Sequence, residues 1–410
     1  MNILLINHYA GSPDMGMEFR PYYMAQEWIK AGHNVTIFAS NNAHVRKKKI
    51  EIESSFKEEI IDGILYIWIK TPPYHGNGLK RILNMRSFYK QMKRNAAKIS
   101  GKYKPDIVIA SSTYPMDNYA AAEIARISGA KHIYEVHDLW PLSPMELGGY
   151  SAKHPFIKYL QKAEDFAYKN ADTVISMLPE TKPYMISRGL DIKKWHYVPN
   201  GINLAEWDRK TPIEESLRKQ LEDIRNQFDF MICYTGSHGI ANALHNFIEA
   251  AKTQNDKNIA FVLLGDGPEK ENLQRKAEGA DNIFFFDPVS KQEIPDFLEY
   301  FDATYIGLQS QSLFRFGISP NKLFDYMMAG KPVIQSINAG NDFVKEANAG
   351  ISIEAENADA LAEAIIELSK KEASELKSIG NNGKEYVLKH HTYNVLAKKF
   401  IDIMHNLSHE

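Results

Sequence analysis

Short apolar runs rich in β-branched residues alternate with helical patterns along almost the whole chain, in two separate series. In the first series, Ile3–Ile6, Val35–Phe38, Ile64–Ile69, Asp106–Ala110, Lys131–Val136 and Thr173–Ser176 are bounded by turn residues or helix-like stretches. Between the first two runs, Met24, Ala25, Trp28 and Ile29 recur at helical spacing, and Gly32 follows as a stop. Strands of this kind, separated by helices, form parallel sheets covered on both faces, which predicts a doubly wound α/β domain of Rossmann type. The turn Val198-Pro-Asn-Gly201-Ile-Asn203 and a charged segment over 208–229 interrupt the pattern. A second series then follows: Phe230–Tyr234, Ile259–Leu264, Ile283–Phe286, Ala303–Gly307 and Val333–Gln335, with helices expected over Leu244–Lys252 and Lys291–Tyr300. The prediction is two Rossmann-type domains, 1–204 and 205–394, facing a central ligand cleft. An amphipathic helix in the segment 395–410 is expected to cross back onto the first domain.

Composition agrees with this division. A chain of 410 residues is long enough for two cores, and 44% hydrophobic with 24% charged residues is ordinary for a globular protein. No apolar run approaches the ~18 residues that would span a bilayer. The opening Met-Asn-Ile-Leu-Leu-Ile-Asn lacks a basic leader pattern and reads as a first strand. The single cysteine, Cys233, lies in an apolar run; it excludes an internal disulfide and suggests a core residue in a cytoplasmic protein. Net charge is −2, but residues 1–200 carry 27 Lys and Arg against 19 Asp and Glu, leaving 22 against 32 in the remainder. The first half is therefore basic, which suits an anionic partner. Within it, Leu79–Lys104 holds nine basic residues and no acidic one, with Leu79, Ile82, Leu83, Tyr89, Met92, Ala96 and Ile99 as a rough apolar stripe. Two readings stand: a basic amphipathic helix on an anionic membrane surface, or a solvated face of a helix packed on the sheet. Nucleic acid is not expected, because no recognised binding module accompanies the charge.

Three stretches carry candidate chemistry. Arg315–Val333 reads as a glycine-bearing loop, a helix start, a short helix and a stop. Ser319 suits the N-cap and Pro320 the first helical position, Gly330 the C′ site, and Pro332 prevents continuation. Asn321, Lys322 and Asp325 are expected on one polar face, with Leu323, Phe324 and Met327 opposite. Free amides, the helix dipole and a lysine suit a diphosphate, while a carboxylate further along can accept from ribose hydroxyls. A solvated, capped surface helix would read the same way. The loop Gly11-Ser-Pro-Asp-Met-Gly16-Met-Glu18 follows the first strand, where such sheets bind ligands, and it matches neither G-x-G-x-x-G nor a P-loop. Gly16 would permit close approach of a ligand. Glu135-Val-His137-Asp138-Leu-Trp140 ends another strand; His137 is placed to meet a sugar hydroxyl or reacting centre, with Asp138 orienting it or binding the acceptor.

Taken together and in order, these residues resemble the large family 4 of nucleotide-sugar-dependent glycosyltransferases. The resemblance runs through Gly16-Met-Glu18, Gly32-His33-Asn-Val35-Thr36, His137-Asp138, Val198-Pro-Asn-Gly201, Tyr234-Thr-Gly236, Gly265-Asp-Gly-Pro268, Phe286 to Leu298, and Asp325-Tyr-Met-Met-Ala-Gly330-Lys-Pro-Val333. It implies a GT-B fold and retaining transfer of a sugar from a nucleoside diphosphate sugar, with no cofactor and no catalytic metal. The absence of an Asp-x-Asp pair or a Cys/His cluster in the sequence points the same way. The branch it looks most like acts in bacterial surface polysaccharide assembly and includes acetamido-deoxyhexose transferases. That implies a lipid-linked saccharide acceptor at the inner face of the cytoplasmic membrane. Carried over by position, Gly16, Gly236, Ser237, Val289, Ser319, Asn321, Lys322 and Asp325 would bind the donor, and Glu18, Asp138 and Trp140 the acceptor. His137, Lys322 and Asp325 would act at the reaction centre, with segment 287–290 holding the base through backbone groups. The chain also departs from the family: Ser237 and Asn242 stand where an Arg and a Lys usually meet the diphosphate, and Gly317 replaces the first glutamate of the E-x7-E pair. Lys322, the helix dipole and Arg315 are the expected compensation. An epimerase on the same scaffold would need a carboxylate pair in the cleft, and a non-catalytic partner subunit would explain the lost charges.

Overall fold

The computed structural model describes residues 1–16, 18–48, 50–76, 78–253 and 258–408. Met17 of the first loop and the last two residues of the segment 395–410 lie outside that description. Two compact units result: residues 1–200 with 393–410, and residues 201–392. The division falls at Asn200–Gly201, ahead of 204/205, because Ile202 already sits in the core of the second unit and its N–H donates to the His391 carbonyl. The return falls at Thr392–Tyr393, where the final helix begins.

The first unit is built on eight strands: β1 (Asn2–Ile6), β2 (Asn34–Ser40), β3 (Phe56–Ile61), β4 (Ile64–Ile69), β5 (Ile107–Ala110), β6 (Lys131–Val136), β7 (Thr173–Ser176) and β8 (Trp195–Tyr197). Their order is β3-β4-β2-β1-β5-β6-β7-β8. Every pairing is parallel except the β3–β4 hairpin, which turns at Asp62 and Gly63, both at positive φ. Strand β3 escaped the sequence reading because Lys57, Glu58 and Glu59 interrupt its apolar pattern, as expected of an exposed edge. Helix α1 (Arg20–Lys30) packs Trp28 against Phe400 of the C-terminal helix Tyr393–Ser408, with ring centroids 5.1 Å apart. The basic stretch is not one helix but two, α2 (Leu79–Arg94) and α3 (Ala96–Tyr103), broken at Asn95. There the Asn95 side chain and its own backbone N–H both donate to the Gln91 carbonyl. Helix α2 buries Asn84, Met85, Phe88, Tyr89 and Met92 and leaves Leu79 and Leu83 exposed.

The second unit carries β9 (Phe230–Thr235), β10 (Ile259–Leu264), β11 (Ile283–Phe286), β12 (Ala303–Gly307), β13 (Val333–Ser336) and β14 (Gly350–Ile353). They are all parallel, in the order β11-β10-β9-β12-β13-β14. Cys233 is buried in the middle of β9. In each sheet the order reverses at one point, between β1 and β5 and between β9 and β12. At such points the loops on either side part and leave a crevice for a ligand. Helix α4 (Asn321–Met328) follows β12 and is fixed over the β9 end by Tyr326, whose Oη accepts the Thr235 N–H at 2.7 Å. The C-terminal helix is α5 (Tyr393–Ser408).

Candidate functional site

Helix α4 begins one residue later than its sequence suggests. Pro320 has extended ψ (128°) and is itself the N-cap, while Ser319 precedes it; the first free amides belong to Asn321 and Lys322. Nor is the helix amphipathic in the simple sense expected. Besides Leu323, Phe324 and Met327, the residues Asp325, Tyr326 and Met328 are buried, leaving Asn321 exposed and Lys322 half-buried. Gly330 takes φ 68°, as a residue ending a helix at C′ should.

Lys322 defines the site in the second unit. Its Nζ donates to Tyr234 Oη at 2.6 Å and to Asn242 Oδ1 at 3.3 Å, and it lies 4.2 Å from the centre of the Tyr234 ring. Tyr234 Oη and Asn242 Nδ2 in turn donate to the carbonyl of Ser237, at 2.8 and 2.9 Å. Asn242, where the family places a lysine, is thus the side chain that holds Lys322. Among the described residues no carboxylate lies within ion-pair distance of that ammonium. Burial lowers its pKa to about 7. Gly236 is needed beneath it: its φ is 128°, and a Cβ there would lie 3.1 Å from Nζ. The loops after β9 and β10 are fastened together, with the His238 N–H donating to the Asp266 carbonyl, and a Cβ on Gly265 would fall 1.9 Å from the Gly236 oxygen.

Asp325 is placed one turn along but is not open to a ribose. Lys291 donates to its carboxylate, a partner that sequence reasoning missed. Val289, two residues before Lys291, lines a cavity of about 570 Å³ together with Lys270, Phe286, Asp287, Pro288 and Ser290. Arg315 Nη1 donates to the Ser312 carbonyl of its own turn, and its guanidinium lies 4.2 Å from the Phe316 ring centre. Gly317 has φ 100°, a region that strains any side-chain-bearing residue. The loop conformation itself explains why no glutamate stands there.

In the first unit, His137 is gripped at both nitrogens. Nδ1 lies 3.3 Å from Glu18 Oε1; Nε2 lies 3.2 Å from Glu135 Oε2 and 3.0 Å from Ser111 Oγ. Burial pulls the imidazole pKa down, but hydrogen bonds to Glu135 and Glu18 outweigh it and raise it to about 10. Glu135 is also paired with Arg20 at 2.9 Å, both side chains 3% exposed. Burial pushes the Glu135 carboxyl up, and Arg20 and His137 overcome this to hold it well below the usual carboxylate range. His137 is therefore an imidazolium oriented by Glu18, Glu135 and Ser111, and not by Asp138, which is exposed on the following loop. Trp140 is half-buried on that loop. Glu135 and Ser111 escaped attention, although a carboxylate inside the apolar run Lys131–Val136 was itself a signal. Glu18 reaches His137 with φ 75°, an uncommon conformation for a glutamate. Gly16 has φ 107°, and the space beside it is filled by the chain itself: a Cβ would meet the Val45 carbonyl at 3.0 Å and the Lys47 nitrogen at 3.3 Å. Its glycine serves this backbone contact, a reason the sequence did not reveal.

Known proteins bear directly on this arrangement. Residues 15–206 match the family described as Glycosyltransferase Family 4, and residues 229–371 match Glycosyl transferases group 1. The chain is 24% identical over 319 residues to the putative colanic acid biosynthesis glycosyl transferase WcaI of Escherichia coli K12, covering 74% of this chain and 75% of that protein. Among solved structures, sucrose-phosphate synthase from Thermosynechococcus elongatus superposes with a TM-score of 0.73 at 17% identity, over 99% of both chains. Anabaena HepE in complex with UDP and glucose superposes with a TM-score of 0.67 at 15% identity, over 98% of this chain and 99% of that one. With both units matched to transferase families and the fold shared throughout, the chain is a glycosyltransferase of the family 4 type with the GT-B fold.

Proposed function

We propose that this glycosyltransferase is retaining and metal-independent, and transfers a sugar from a nucleoside diphosphate sugar, with UDP as the nucleotide, to a lipid-linked saccharide in surface polysaccharide assembly. The observation that carries the donor reading is Lys322: a half-buried ammonium held by two neutral partners, with no carboxylate at hand, beside the free amides of a helix start. Such a group is completed by an anion, and a departing diphosphate supplies one. The cavity at Val289 is the expected seat of the base, and Asp325 would exchange Lys291 for the ribose when nucleotide enters. UDP is favoured by the HepE complex, and the polysaccharide setting by the relationship to WcaI.

In the proposed reaction the acceptor hydroxyl attacks the anomeric carbon on the face the diphosphate leaves. The carbon–oxygen bond to phosphate breaks as the new one forms, and a phosphate oxygen takes the hydroxyl proton. Lys322 and the Asn321 and Lys322 amides stabilise the leaving charge. His137, charged at neutral pH, would exchange Glu18 for a sugar hydroxyl at Nδ1 and does not act as a base. Location at the inner membrane face rests on helix α2, whose Leu79 and Leu83 are exposed beside Lys80 and Arg86. No helix among the described residues is long and apolar enough to cross a membrane. The acetamido-deoxyhexose remains the candidate sugar. The test is incubation with UDP- and GDP-sugars, including acetamido-deoxyhexoses, and a membrane lipid extract, following diphosphate release and the anomeric configuration of the labelled lipid product. Transfer with retained configuration in the presence of a chelator supports the reading; an inverted product, or no turnover and no nucleotide binding with any donor, overturns it.

A further inference from the structure

Arg46 is a buried cation that the proposed chemistry does not use. The chain after β1 packs against it, since a Cβ on Gly11 would lie 3.2 Å from its Cδ, and its guanidinium sits 4.9 Å from the Trp68 ring centre on β4. The residue is 8% exposed. Nη2 donates to the Ser40 carbonyl, but Nε and Nη1 are buried with no hydrogen-bond partner among the described residues. Leaving two donors of a buried guanidinium unmade is costly, so the position calls for an acceptor that no described residue supplies.

Among the described residues no carboxylate pairs with Arg46 either. The ionisable groups acting on Arg46 are the phenols of Tyr74 and Tyr66, and burial lowers its pKa only to about 10, so it stays charged. A second cation joins it: Arg81, near the start of α2, donates to Tyr9 Oη at 3.1 Å and is half-buried. Arg46 and Arg81 both act on buried His8, and Arg81 on His44. His8 has Nδ1 at 2.5 Å from Tyr114 Oη, and its Nε2 has no partner. The acids that act on this cluster do so through its phenols: Glu18 on Tyr9, Asp62 on Tyr66 and Asp117 on Tyr114; Glu18 is itself engaged by His137. Two guanidinium groups thus meet aromatic side chains where β1 and β2 end, at the side of the sheet where ligands bind.

We propose that Arg46 and Arg81 form an oxyanion subsite of the first unit that takes a phosphate of the acceptor. Forked guanidinium donors match phosphate oxygens in number and geometry. The assignment of that phosphate to the acceptor rests on the lipid-linked saccharide reading above. It also removes Arg81 from the membrane-facing charges of α2.

Inorganic pyrophosphate is the probe, titrated by calorimetry into the whole protein and into Lys322→Ala, Arg46→Gln and Arg81→Gln variants. Binding should persist in Lys322→Ala, which lacks the donor-site cation, and weaken about 10-fold in Arg81→Gln and Arg46→Gln. In transfer assays with a prenyl-diphosphate-linked sugar, Arg81→Gln should raise the acceptor KM about 10-fold and leave the donor KM unchanged. With an acceptor glycoside lacking phosphate it should change neither. Arg81→Gln, at a partly exposed position, keeps the test valid if Arg46→Gln fails to fold. Loss of all pyrophosphate binding in Lys322→Ala, or wild-type binding in Arg81→Gln, overturns the subsite. An equal KM effect on both acceptors overturns its assignment to the acceptor phosphate. If no donor is turned over while Arg81-dependent binding persists, the subsite stands and the transferase reading falls instead.

Discussion

In the proposed reaction Lys322 would take on a role that the resemblance spreads over several cations. Its two partners, Tyr234 and Asn242, are neutral, so they orient the ammonium without satisfying its charge. Replacing it with Ala should lower kcat/KM by about 100-fold or more, since one leaving-group donor is typically worth ~3–4 kcal/mol. Asp325→Asn should cost less, because it alters the ion pair with Lys291 and the proposed ribose contact but not the departing charge. The pH dependence has a definite sign. With a pKa lowered to about 7, Lys322 is charged below that pH and neutral above it, so kcat/KM for the donor should fall as pH rises from about 7. Lys322→Arg should abolish that fall in a pH–rate profile. His137 runs differently. Its folded pKa of about 10 exceeds the ordinary value of 6.5, so its stabilising contribution is complete below about 6.5 and is lost as pH rises through about 10. Denaturant melts of the parent should weaken over that window more than those of His137→Gln. At this scale the sequence named Lys322 and His137 from their places at a helix start and a strand end. It could not name Lys291, Glu135, Ser111 or Tyr234, whose roles arise from contacts between distant segments.

At the scale of elements, two features set the site geometry. Arg20 on α1 ties that helix to β6 through Glu135, and donates to the Val198 and Pro199 carbonyls at 2.9 and 2.5 Å where the first unit ends. Removing it leaves the buried Glu135 carboxylate with only His137 and Ser111, so Arg20→Met should destabilise the protein by ~3 kcal/mol in a urea melt. On the opposite side of function, Gly317→Glu would restore the family's residue in a backbone it does not suit. The expected result is a loss of ~1–3 kcal/mol and no gain in activity. Helix α2 presents Leu79 and Leu83 outward, and sedimentation with anionic liposomes should fall several-fold in Leu79→Asp/Leu83→Asp. Equal binding of the parent to neutral vesicles would remove the electrostatic part of that account. Elements with an uninterrupted apolar period, such as β4, β6 and β7, were legible residue by residue. The break at Asn95 was not, because a helix with a rough apolar stripe on both sides gives no periodic sign of a side-chain cap, and the charged edge strand β3 hid its alternation behind Lys57, Glu58 and Glu59.

For the whole molecule, the double alternation of strands and helices was enough to read two doubly wound units, since few other architectures bury such runs on both faces. The helix that returns to the first unit was legible from its amphipathic pattern, and its anchor Phe400 against Trp28 explains the return. What ordered motifs could not convey is that Asn242 holds the ammonium of Lys322, the group proposed to serve in place of the usual cations. The most direct test of that claim is calorimetric binding of UDP to the parent, Lys322→Ala and Tyr234→Phe proteins across about pH 6 to 9. The account predicts affinity that declines as pH rises past about 7 in the parent, a loss of about 100-fold in Lys322→Ala and about 10-fold in Tyr234→Phe. UDP binding of equal strength in the parent and Lys322→Ala at every pH would contradict it.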